Sequence, residues 1–157
     1  MNTPWGPSQS HKYIAPGIIA VSTASHGGYY IWPHTLTKMP EALRAIRSPY
    51  APEGWYEEDC DWVIVALAFP EHFPRETLEV AISMARSFAR DGYLDPVGAW
   101  IDTDDPRAKQ VHYIASLDEI SRERYLAALA RHDGQPVYGP LADHKTHDRT
   151  RCEGGSA

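Results

Sequence analysis

Residues 54–70 read GWYEEDCDWVIVALAFP, and the fold turns on how that stretch is taken. An unbroken apolar run, Trp62 to Phe69, follows the four carboxylates Glu57, Glu58, Asp59 and Asp61. Periodicity cannot separate a buried strand from a buried helix where every position is apolar. The acids decide the reading, because carboxylates just ahead of an apolar segment favour a helix start through the macrodipole. We therefore expect a helix from about Trp62 that Pro70 ends.

Toward the amino terminus, Pro16-Gly17 introduces Ile18, Ile19, Ala20 and Val21, a β-branched run that predicts a mostly buried strand. Gly27-Gly28 reads as a turn, and Tyr29 to Trp32 as a second strand, so a hairpin is expected from Ile18 to Trp32. Met1 to Ser10 reads as an irregular arm pinned by Trp5. Thr37 is suited to cap a short helix running to Arg47, with Pro40 in its first turn, and residues 48–54 read as loop.

Toward the carboxyl terminus, Leu78, Ala81, Ile82, Ala85 and Phe88 recur at helical spacing, predicting a helix over Glu76 to Arg90 that stops at Gly92. Turn formers fill Asp95 to Asp105, and Gln110 to Ser116 alternates enough to predict a strand. Ser116 and Glu119 have capping-box spacing for a last helix. It should run to Arg131, end at Gly134, and draw its apolar side from Leu117, Ile120, Tyr125 and Leu129. The expected architecture is α+β: a β-hairpin or small antiparallel sheet packed against three to four helices, in one domain over residues 1–140. Residues 141–157 are polar and are expected to form a disordered tail.

With 157 residues the chain is long enough to bury a sizeable core without metals or disulfides. Its two cysteines, Cys60 and Cys152, are no disulfide framework. Neither a signal-peptide pattern nor a spanning apolar stretch is present, which predicts a cytoplasmic, non-membrane protein. Fifteen Lys and Arg against twenty-one Asp and Glu give a net charge of −6, which argues against direct nucleic-acid binding. The carboxylates are too sparse for a mimic of DNA.

Three motifs carry a resemblance: Thr3-Pro4-Trp5-Gly6 with Gln9, Ser22 to Gly28 (STASHGG), and Gly54 to Trp62 (GWYEEDCDW). Together they resemble an uncharacterised domain family of bacteriophages, plasmids and integrative elements, a family without an assigned activity. The resemblance implies a habitat. Accessory proteins of mobile elements often act on host defence, so it implies an inhibitor of anti-CRISPR or anti-restriction type, an inference by analogy.

Two constellations are candidates for chemistry. Cys60 as nucleophile, His26 as base and Gln9 as oxyanion donor would make a hydrolase with the logic of a permuted papain-like site, provided a helix amino terminus lowers the thiol pKa. The alternatives stay open: Cys60 shares a helical face with Val63, Ile64 and Leu67 and so also fits a core position, and His26 also fits a hairpin turn beside glycines with positive φ. The second constellation interleaves Trp55 and Tyr56 with Glu57, Glu58 and Asp61, a composition suited to binding a protein whose surface is basic, such as the groove of a defence nuclease. Its bland counterpart is a solvated helix start with the aromatics turned inward. His112, His132, His144 and His147 make no paired ligand set, so no metal and no cofactor is expected. A structural or assembly role finds no motif, and the oligomeric state is left open.

Overall fold

The structure, a computed structural model, describes residues 1–88 and 92–132. A two-residue ladder between β1 (Asn2–Thr3) and β2 (Gly6–Pro7) opens the chain. Thr3 stitches it, donating from Oγ1 to the Gly6 carbonyl at 2.8 Å and accepting from the Trp5 N–H at 3.1 Å. The predicted irregular arm is thus a small hairpin with Trp5 at its tip.

The main sheet holds β3 (Ser10–Ala15), β4 (Ile18–Ser22), β5 (Gly27–Ile31) and β6 (Trp55–Glu57), antiparallel and in sequence order. The expected hairpin is present as β4–β5, but its turn is Thr23 to His26, and Gly27 and Gly28 are strand residues opposite Ser22 and Val21. Neither glycine has positive φ. Their role is space: a Cβ on Gly28 would stand 2.5 Å from Trp5 Cη2 and against the Tyr56 carbonyl.

Two short helices follow, α1 (Pro33–Leu36) and α2 (Glu41–Arg44). Thr37 closes the first of them instead of opening a longer one, donating to the His34 carbonyl at 2.8 Å, and Pro40 is the N-cap of the second. Next come β6 and α3 (Trp62–Ala68), the helix expected from the acids and Pro70. Pro70 leads a 3₁₀ turn, Pro70–His72, before α4 (Arg75–Phe88). Residues 89–91, where the predicted helix would have ended, lie outside the described residues.

The region beyond departs most from expectation. Asp95–Ile101 is a helix, α5, with Pro96 in its first turn. Pro106–Ser116 is also a helix, α6, not a strand: Ala108, Val111, Ile114 and Ala115 line its buried side at helical spacing. Gln110 is buried with them at 1% exposure, and this inward polar residue mimics strand alternation in the sequence. Helix α7 (Glu119–Arg131) is capped by Asp118, which accepts from the Ser121 N–H at 2.8 Å, while Ser116 ends α6 and forms no capping box. Ile120 is 64% exposed, so the buried side of α7 consists of Tyr125, Ala128 and Leu129. Gly134 and the expected tail lie outside the described residues.

The architecture is α+β: α3 packs against β5 and β6 of the antiparallel sheet and against α4 and α6, while α5 packs on α4. Every residue from Val63 to Ala68 is at most 1% exposed, which explains why the run carries no polar face. Leu78, Ala81, Ile82 and Ala85 of α4 pack on it, as do Ile18, Ile31 and Tyr56 from the sheet. No helix among the described residues is long and apolar enough to cross a membrane.

Candidate functional site

The sheet register places Tyr13, Ile19, Tyr30 and Trp55 in one row across the four strands, on the face turned away from α3. Trp5 folds over this face. Its ring meets Trp55 edge-on at 5.8 Å, and Trp55 in turn lies on Tyr30 at 4.6 Å. Ile19 and Val21 are sealed beneath, at 6% and 5% exposure. The glycine at 28 makes this possible, since a side chain there would occupy the place of the Trp5 ring.

At the end of this row β6 turns into α3, and the four acids of the sequence motif take separate roles. Glu57 is buried; its Oε2 accepts the N–H groups of Asp59 at 2.8 Å and Cys60 at 3.2 Å, closing the turn. Asp61 is fully buried and accepts the Tyr93 hydroxyl on Oδ1, while its Oδ2 lies 3.5 Å from the Glu57 N–H. Burial, and then the bond to Asp61, push the Tyr93 hydroxyl pKa well above the usual phenol range. Glu58 and Asp59 remain exposed.

The Glu58 N–H donates to the Gly27 carbonyl at 3.1 Å, and its carboxylate occupies the place a Gly27 side chain would take. Across the strand end, His26 is held by its backbone. Its N–H donates to Thr23 Oγ1 at 3.1 Å, and its carbonyl accepts from Thr23 Oγ1 and the Thr23 N–H, each at 2.7 Å. The His26 ring is half exposed, with Nδ1 3.9 Å from Glu57 Oε1.

The expected interface set is therefore divided. Glu58 is exposed and Trp55 half-buried, whereas Tyr56, Glu57 and Asp61 are inside. Tyr56 faces the core, donates to Met39 Sδ at 3.5 Å, and has its hydroxyl pushed up to about 12, chiefly by burial. A carboxylate buried this way shapes the turn and offers little area to a protein partner.

The hydrolase set shows no mutual side-chain hydrogen bond among the described residues. Cys60 precedes α3 and packs partly buried against the core. Burial pushes its thiol up, and Glu57, Asp61 and Asp59 push it further, opposite to what a nucleophile requires. His26 faces Glu57, and Gln9 is exposed just ahead of β3, its N–H bound to the Ser22 carbonyl at 2.8 Å. Among the described residues no hydrogen bond joins the side chains of Gln9, His26 and Cys60.

His112 binds the Ile101 carbonyl at 3.0 Å and lies 3.4 Å from Asp102, and His132 is the C-cap of α7; His144 and His147 lie outside the described residues. Two features were not visible in the sequence. Tyr93 joins Asp61 across 32 residues, and Arg107 joins the Ala68 carbonyl at 3.2 Å to Glu71 at 3.1 Å; no local pattern signals either.

No curated protein and no solved structure matches the chain. One family model does, that of a domain of unknown function, DUF7007, over residues 1–117. The match takes in the aromatic row, the β6–α3 turn and every helix through α6, and it stops one residue past Ser116. Covering well over half of the 157 residues, it identifies the chain as a member of the DUF7007 family, an uncharacterised domain family as its sequence motifs led us to expect.

Proposed function

We propose that this chain is an accessory protein of a phage or mobile element that binds and inhibits a host protein, a defence component of the CRISPR or restriction type. The observation that carries the reading is the pairing of exposed carboxylates, Glu58 and Asp59, with the rigid stack of Trp5, Trp55 and Tyr30. Fixed aromatic area bordered by charge suits a protein interface, because little side-chain entropy is lost on docking. A net charge of −6 favours a partner protein whose surface is basic, as nucleic-acid-binding grooves are. The hydrolase alternative gains no such support, since burial and the neighbouring carboxylates push the Cys60 thiol pKa up.

Cells carrying a defined CRISPR or restriction system, challenged with a phage that the system blocks, supply the test. Expression of the chain should restore plaque formation, and Glu58→Lys with Asp59→Lys should abolish the effect while the circular dichroism spectrum stays native. Failure to restore plaques against either type of system, or full activity in the charge-reversed chain, would overturn the proposal.

A further inference from the structure

One ligand atom each from His26, Glu57 and Glu58 lies within 4.8 Å of the others. Two segments bring them together: the β4–β5 turn supplies His26, and the end of β6 with the residue after it supplies Glu57 and Glu58. The Glu57 side chain is only 10% exposed. Its Oε2 is taken by the Asp59 and Cys60 N–H groups, whereas Oε1 has no hydrogen bond and faces His26 Nδ1 at 3.9 Å, beyond hydrogen-bond reach. That oxygen reaches the surface beside the imidazole nitrogen, and the gap between the two leaves room for a cation. The second carboxylate, Glu58, folds over Gly27 toward the same point, and two converging carboxylates repel unless positive charge lies between them.

We propose that His26, Glu57 and Glu58 bind one divalent cation of the zinc class. An imidazole nitrogen with two carboxylate oxygens suits a borderline ion better than magnesium or calcium, which take oxygen ligands. Bonds of about 2.0–2.2 Å at tetrahedral angles place two ligands of one ion about 3.3–3.6 Å apart, so the cluster must draw in by up to about 1 Å, through rotation of the two exposed side chains, His26 and Glu58. Glu57 is fixed by its backbone bonds and serves as the rigid ligand. Three protein ligands at a surface-facing site leave the fourth position to water. Metal binding at this turn does not depend on any inhibitory activity.

The full chain, stripped of metal, is titrated with zinc chloride in a calorimeter beside His26→Ala and Glu58→Gln. Both residues are exposed, so both variants should retain the wild-type far-ultraviolet spectrum. The expected result is one saturable site in the wild type, weakened about tenfold or more in each variant, with a zinc-dependent rise in Tm that both variants lose. Magnesium chloride should give no comparable heat. Absence of saturable zinc binding in the wild type, or binding undiminished in both variants, would overturn the proposal; the latter would place zinc on other histidines. Should one variant fail to fold, the other decides.

Discussion

Four acids within five residues do different work because their neighbours differ. Glu57 and Asp61 are interior and satisfy backbone and hydroxyl donors, while Glu58 and Asp59 face solvent. Cys60, between them, sits against apolar neighbours with carboxylates on either side, and both effects favour the neutral thiol. With Cys152 replaced by Ala, iodoacetamide should therefore alkylate Cys60 more slowly than free N-acetylcysteine at neutral pH. The inflection of rate against pH should lie above that of the free thiol. Faster alkylation at or below neutral pH would mean a stabilised thiolate and would restore Cys60 to candidacy as a nucleophile.

Elements were legible where one signal dominated. Helix α4 declared itself through 3.6-residue spacing, and α3 through the acids before it and Pro70 after it, although Asp61 makes no side-chain cap and the acids serve the turn. Strand β3 escaped notice because its first four residues are exposed and polar or isolated aromatics, as an edge strand permits, and β6 because three residues carry no period. Helix α6 was misread through buried Gln110, whose amide donates to the Tyr125 hydroxyl at 3.3 Å, a partner on α7 that no local reading reveals. The site was half legible: the motif residues do converge, but which of them point inward depends on pairing between β5 and β6. Gly28 shows the same dependence, since its dipeptide suggests a turn and its place is a strand under Trp5. Gly28→Ala should thus cost about 1–3 kcal/mol through overpacking and loosen Trp5, seen as a lower urea midpoint and a shifted tryptophan emission. A loss below about 0.5 kcal/mol would show that the Trp5 hairpin yields freely and is not part of the rigid aromatic surface.

At the scale of the whole molecule, α3 holds the two layers together. It touches β5 and β6 of the sheet as well as α4 and α6, and Tyr29 of the sheet meets Phe73 at 5.8 Å. The helices are short, seven residues in α5 and thirteen in α7, and helices of such length are marginal in water without tertiary packing. A sheet of four short strands likewise depends on the apolar surface it covers. Neither layer is expected to persist once α3 is loosened, so unfolding should be a single cooperative transition. Leu67, fully buried in α3, probes this directly. Leu67→Ala should destabilise by about 2–5 kcal/mol, and native-state hydrogen exchange should show the slowest amides of β4–β5 and of α4 losing the same free energy. If α4 lost protection while β4 and β5 kept theirs, the sheet with its aromatic surface would be a separate unit. The turn bearing His26, Glu57 and Glu58 would then owe its geometry to the strands alone, and the helical layer would serve some purpose other than holding that turn in place.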